Sequence, residues 1–316
     1  MEAVIQPVDR NLLIRELTDD KFIGETRKGN NHLYEITAAD SPMVMQEIGR
    51  LREISFRLGG GGTGKSVDID EFDTDNHNPY RQLIVWDPKD QEIVGGYRYI
   101  VCGGIPTEKM ATKEIFRFSD DFVNNYLPFT IELGRSFIQP NYQSSNLKRK
   151  SVFSLDNLWD GLGALVVKYS KVKYFFGKVT MYTSYDVTAR NMLLHFLHKY
   201  FPDKDSLVTP ITPLDCDKDN KYFVELFKSL DYKEGYKVLQ REIKQRGEHI
   251  PPLINSYMNL SSSMRMFGTA INPGFGGVEE SGILVKINDI YPEKIERHVA
   301  PIRIWAQKLR IKWWKR

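Results

Sequence analysis

Apolar side chains recur every three or four positions at Met45, Ile48, Leu51, Ile54 and Leu58. That spacing predicts a helix. Ser41-Pro42 gives it a capping side chain and a proline at the first helical position, and the run Gly59-Gly60-Gly61-Gly62 ends it. After a polar, acidic stretch (67–78), two runs with strand character (81–86 and 92–101) flank Asp87-Pro88-Lys89-Asp90 and read as a hairpin. Residues 111–117 read as a short helix, and 129–138 as a strand ended by Pro140. A helix capped by Ser154 follows through 169, with Leu158, Leu162, Leu165 and Val166 on one face. Then come a strand at 172–182 and an amphipathic helix at 187–200. Helix, hairpin, strand, helix, strand, helix predicts a mixed α/β domain. Beyond Pro202 the pattern loosens, with a helix near 223–230 and a Pro-Pro and Gly-rich block over 250–290.

Composition narrows this. The chain has 316 residues, 41% hydrophobic and 27% charged, which excludes wholesale disorder. Two cysteines, Cys102 and Cys216, are too few for a disulfide framework or a cysteine zinc site. His195 and His198 lie three apart on a helix with no third ligand nearby, so no metal site is expected. No apolar run is long enough for a membrane span, and the N-terminus does not read as a signal peptide, so a cytoplasmic protein is expected. The net charge of +3 is uneven: residues 301–316 carry six cations and no acid, leaving the rest at −3. Ile302, Ile304, Trp305, Leu309, Ile311, Trp313 and Trp314 lie among those cations, a mixture suited to an anionic bilayer surface. No nucleic-acid module is recognised, and none is expected as a partner.

Residues 59–66, GGGGTGKS, match the phosphate-binding pattern G-x-x-x-x-G-K-[ST]. That motif needs a strand before it and a helix after it, so that backbone N–H groups and the helix N-terminus meet the phosphates. Here a helix precedes it, and Asp68, Asp70, Glu71 and Asp73 follow where phosphate would approach. The loop is therefore read as a glycine linker, with Lys65 a surface residue.

The chemistry-bearing residues lie elsewhere. Asp70 and Asp73 follow the first helix, Arg98 ends the hairpin, and Glu132-Leu133-Gly134-Arg135-Ser136 sits inside a strand. Strand alternation puts Glu132, Gly134 and Ser136 on one face and Leu133 and Arg135 on the other. Charges inside a central strand are costly unless paired, so they form either a structural ion network or a site.

The runs DIDEFD, RQLIVWD, EIVGGYRYI, IELGRSFIQPNYQ and LDNLWDGLGALV, with Pro251-Pro252, Phe267-Gly268 and NPGFG later, resemble the bacterial N-acyltransferases that make amino-acid-containing lipids. These are the ornithine-lipid and glycine-lipid synthases of the GNAT superfamily, which share features with acyl-homoserine-lactone synthases. NNHLYEIT, KYFFGKVTMYTSY and MRMFGTAIN look most like the glycine-lipid branch of Bacteroidetes. The resemblance implies an α/β GNAT-like mixed sheet flanked by helices, with a C-terminal extension. It divides the chain into an N-terminal extension (1–40), an acyltransferase-like core (41–205), a C-terminal part of the acyltransferase region (206–300) and a basic aromatic tail (301–316).

It further implies transfer of a long 3-hydroxyacyl chain from a thioester to the amine of an amino acid, glycine favoured, with no covalent enzyme intermediate and no bound cofactor. Glu132 is the first candidate base, Asp70 and Asp73 the second. Arg98 and Arg135 suit either a clamp on the substrate carboxylate or a partner for the acids. Arg52 joins the acidic cluster and Ser136 the substrate site. A backbone N–H within 136–139 suits the developing oxyanion, and Tyr182 or Tyr185 suits either protonation of the leaving thiol or a structural place at the sheet end. Residues 141–150 lack the glycines of a coenzyme A pyrophosphate loop, which favours the pantetheine thioester of an acyl carrier protein as donor. Lys148, Arg149 and Lys150 then form a patch that would steer that acidic partner. A lipid product fits peripheral attachment to the cytoplasmic membrane. A lactone-forming synthase, or a non-catalytic protein that binds acyl carrier protein or membrane, are the alternatives.

Overall fold

The computed structural model describes residues 1–143, 153–217 and 220–308. Lys148, Arg149, Lys150 and the last eight residues lie outside that set. Ten strands are described: β1 (Phe22–Glu25), β2 (His32–Ile36), β3 (Arg81–Asp87), β4 (Glu92–Val101), β5 (Phe116–Phe118), β6 (Thr130–Ile138), β7 (Tyr174–Met181), β8 (Val208–Pro210), β9 (Arg265–Asn272) and β10 (Val278–Lys286). Eight form one sheet in the order β1-β2-β3-β4-β6-β7-β10-β9, and β5 pairs with β8. Strands from 1–40 and from 206–300 therefore belong to the same sheet as the 41–205 core.

Alternation sorts the sheet's side chains into two layers. Leu83, Val85, Tyr97 and Tyr99 join a core with α4 (Ser154–Lys168), α5 (Val187–Tyr200), α7 (Tyr232–Gln245) and α8 (Pro252–Met258). Ile84, Trp86 and Ile93 point the other way, into a core with α1 (Arg10–Glu16) and α2 (Pro42–Gly59). The short helices α3 (Glu71–Thr74) and α6 (Lys221–Leu226) complete the two faces. At the C-terminus α9 (Pro292–His298) and α10 (Ala300–Lys308) pack back on α4, and Trp305 lies edge-on to Phe22 of β1 at 5.7 Å. The first half of the basic tail thus docks on the body of the protein. Among the described residues no helix is long and apolar enough to cross a membrane.

Two local expectations change. Ser41 makes no capping hydrogen bond to α2. The Glu16 carboxylate of α1 takes its place, accepting from the backbone N–H groups of Met43 and Val44 at 3.1 and 2.9 Å. The stretch 111–117 is a single 3-10 turn followed by β5 rather than one helix.

The feature that makes a site is the pairing of β6. All neighbouring strands of the large sheet run antiparallel except β6 and β7, which are joined by the α4 crossover and pair in parallel over only four positions, Thr130↔Tyr174 to Leu133↔Gly177. Past that point the two strands separate and the sheet opens.

Candidate active site

The opening holds a cleft of about 560 Å³. One wall comes from residues 133–138 of β6, the other from Lys178 and Thr180 of β7 with Tyr182 and Glu280. Because it passes between separated strands, the cleft reaches both layers. On the α4 side it is apolar, lined by Ile138, Leu155, Leu158, Pro251, Pro252 and Leu253. On the α2 side it is polar and charged, lined by Arg98, Glu132, Arg135, Lys178, Thr180 and Glu280.

Glu132 is 2% exposed and sits at the polar end. One carboxylate oxygen accepts from the Tyr80 hydroxyl at 2.7 Å, the other from the backbone N–H of Thr112 at 2.8 Å. The Tyr80 hydroxyl in turn accepts from the N–H of Ala111. Burial pushes the Glu132 carboxyl above the usual glutamate range, against the opposing pull of these hydrogen bonds and of Arg98.

Beside it lies an ion network. Arg98 donates to both Asp70 oxygens at 2.6 Å, reaches Asp73 at 3.4 Å, and lies 5.6 and 5.1 Å from the centres of the Phe72 and Tyr80 rings. Arg135 Nε is 2.9 Å from the Asp68 carboxylate, its Nη2 3.4 Å from Asp70, and its guanidinium 4.4 Å from the Phe275 ring centre. Arg52 is fully buried, pairs with Asp73 at 3.1 Å and donates to Gln82. Asp70 also caps α3, accepting from the N–H groups of Phe72 and Asp73. Although burial opposes it, Arg98 and the other arginines hold the Asp70 carboxyl far below the usual aspartate range. Asp70, Asp73 and Arg52 do not line the cleft. Their charges are spent on each other, which places them behind Arg98 and Arg135 as a frame.

Strand β6 departs from simple alternation. Its ladder with β4 slips between Gly96 and Arg98, and Arg135 has φ +48°. This is a β-bulge, and an extra residue inverts the faces that follow. Arg135 therefore joins the Glu132 face, where it meets Asp68, while Ser136 joins Tyr97 and Leu133 on the opposite side. That is the reverse of the expected assignment of both residues. Ser136 still lines the cleft. Among the described residues, the backbone edge of 134–138 facing β7 has no strand partner, whereas the Gln139 N–H is already donated to Val94.

Tyr182 lines the cleft and its hydroxyl is raised by burial, then by Glu280. Tyr185 donates to the His249 carbonyl instead and does not line the cleft. The GGGGTGKS loop is occupied from within. The buried Glu53 carboxylate accepts from the N–H groups of Thr63 and Gly64 and from the Thr63 hydroxyl, at 2.8–3.1 Å. Its glycines serve close packing: a Cβ on Gly59 would lie 2.4 Å from the Tyr182 ring. Burial pushes the Cys102 thiol well up, away from a nucleophile's range. Among the described residues no group of three or more His, Cys, Asp or Glu side chains is placed to hold a metal ion.

Sequence reasoning missed Lys178, Thr180 and Glu280. Lys178 is 2.7 Å from Glu280, which also accepts from Asn272 at 2.7 Å and Thr180 at 3.2 Å. A charged residue within an apolar strand, the signal that drew attention to Glu132, was present at Lys178 too.

A family profile described as an acetyltransferase (GNAT) domain matches residues 51–151. The glycine N(alpha)-acyltransferase of Phocaeicola vulgatus is 52% identical over 304 residues, covering 95% of this chain and 93% of its own length. The glycine N(alpha)-acyltransferase of Bacteroides thetaiotaomicron is 53% identical over 304 residues, covering 95% and 90%. No solved structure matches significantly.

Proposed function

Because this chain belongs to the family of glycine N(alpha)-acyltransferases, acyltransferase enzymes with a GNAT-type α/β sheet, we propose that it moves a 3-hydroxyacyl chain from acyl carrier protein to the amine of glycine, in the making of an aminolipid. The observation that carries this reading is the two-sided cleft, apolar towards α4 and charged towards α2. A pantetheine arm and acyl chain suit the apolar side. A zwitterionic amino acid suits the charged side.

Glu132 acts as the general base. Its raised pKa brings it nearer to a working proton acceptor at neutral pH, where such groups contribute ~10²–10⁴-fold. It takes a proton from the glycine ammonium, directly or through water, and the freed amine attacks the thioester carbonyl. A C–N bond forms, the second amine proton passes to water as the tetrahedral intermediate collapses, and the C–S bond breaks. An N–H on the unpaired edge of 136–138 supports the oxyanion. Tyr182 gives the departing sulfur its proton and regains one from solvent. Asp70, Asp73, Arg52, Arg98 and Arg135 keep the polar end rigid and charged. The raised Cys102 thiol accords with direct attack rather than an acyl-enzyme.

The carrier-protein donor rests on residues 141–150, which lack a glycine loop, and on Lys148, Arg149 and Lys150. Attachment at the inner face of the cytoplasmic membrane rests on the cations of 301–316 and on Trp313 and Trp314, Trp305 being packed against Phe22 of β1. The test is a reconstituted reaction. Purified protein with glycine and 3-hydroxyacyl carrier protein should release N-(3-hydroxyacyl)glycine and free thiol in equal amounts, and the coenzyme A thioester should turn over more slowly. Equal turnover of both thioesters would remove the carrier-protein assignment. No N-acylglycine from either would remove the function.

A further inference from the structure

An amino-acid acceptor brings a carboxylate as well as an amine, and the buried arginines are poorly free to meet it. Arg98 and Arg135 already face Asp68, Asp70 and Asp73 between them. Lys178 is differently placed. Its side chain is 9% exposed, it lines the cleft, and among the described residues Glu280 alone pairs with it. An ammonium has three N–H donors, and burying unmet ones is costly. Glu280, itself 2% exposed and anchored by Asn272 and Thr180, fixes where that ammonium points.

We infer that Lys178 binds the carboxylate of the acceptor amino acid, with Glu280 and Asn272 as positioning residues. This rests on the reading above that the acceptor is glycine. The sheet sets the spacing. Glu132 pairs with Phe176, and Lys178 lies two residues further along β7 on the same face. Strand geometry then separates the Cα atoms of Glu132 and Lys178 by roughly 8 Å. That span takes a short amino acid between a base at its nitrogen and a cation at its carboxylate.

The test uses the full chain with a saturating acyl donor and two acceptors, glycine and the uncharged glycinamide. Lys178→Met should raise the KM for glycine at least roughly tenfold, the loss of a charge-assisted hydrogen bond, while leaving the KM for the donor and the turnover of glycinamide near the wild-type values. Lys178→Arg should recover part of the loss. Because Lys178→Met strands the buried Glu280 charge, the double variant Lys178→Met/Glu280→Gln is measured alongside and should show the same shift in glycine KM. An unchanged glycine KM in the double variant, an equal fall for glycine and glycinamide, or a rise in donor KM instead would overturn the assignment. Wild-type protein that acylates neither acceptor would instead overturn the acceptor reading on which it rests.

Discussion

Glu132 and Asp70 show how two carboxylates within one cluster come to differ. Glu132 is buried with neutral donors, a hydroxyl and an amide, so desolvation dominates and its pKa rises. Asp70 meets two guanidinium groups and two backbone N–H groups, so its pKa falls. Glu132→Gln should therefore lower kcat by ~10²–10⁴-fold with little change in the glycine KM. In the wild type, kcat/KM should fall as pH drops through an inflection above the usual glutamate value of about 4.3. An inflection at or below that value would point to another base. The sequence displayed Glu132, the aspartates and the arginines as charges in and around strands. It did not say which were saturated by one another, because pairing across 20–70 residues of chain is a property of the folded sheet. Lys178 was legible by the same rule and was overlooked because its partner, Glu280, lies a hundred residues away in a segment whose pattern is irregular.

At the scale of elements, the hairpin, α2, α4, α5 and the strands around them follow from hydrophobic spacing. The bulge at Arg135 does not. Alternation assigns faces only while the ladder is regular, and one extra residue with φ +48° exchanges Arg135 and Ser136. Gly134, just before it inside the strand, is the one sequence signal of a bulge, but the positive φ falls on Arg135 itself, where the residue type gives no hint of it. The glycine run after α2 shows the opposite case, a familiar motif whose structure serves another end. Gly60 takes the left-handed conformation that closes α2, with φ +96°, and Gly59 lets the backbone touch the Tyr182 ring. Gly59→Ala should therefore lower stability by about 1–3 kcal/mol, the range for overpacking a closed contact, and depress turnover through Tyr182. Lys65→Ala, at an exposed position, should change stability by no more than about 0.5 kcal/mol. Thermal unfolding of the two variants beside wild type checks both, and nucleotide should shift neither melting curve.

At the scale of the whole molecule, the large sheet is assembled from distant segments, with β5 and β8 forming a separate pair. The periodic middle of the chain supplies β3, β4, β6 and β7, while the ends supply β1, β2, β9 and β10. The strands from the chain ends were hard to read in part because a strand buried on both faces, such as β10, lacks the alternation that marks a half-exposed strand. The charged interior sets the pH response of the fold. Asp70 and Glu280 are held below their unfolded values, so the stability they contribute is complete above about pH 4–5 and is lost as pH falls further. Glu132 works the other way, its raised pKa making ionisation unfavourable to the fold as pH rises. Urea midpoints should be flat near neutrality and drop below about pH 4, and Asp70→Asn should flatten that acid limb. At this scale everything turns on one proposed reaction, direct acylation of glycine with Glu132 as base. Mass spectrometry of lipid extracts from a bacterial host that makes no such lipid, expressing wild type or Glu132→Gln, tests it most directly. N-(3-hydroxyacyl)glycine should appear with wild type and almost none with the variant at equal folded protein. The same lipid at equal abundance from both would contradict the role of Glu132, and its absence from both would contradict the reaction itself.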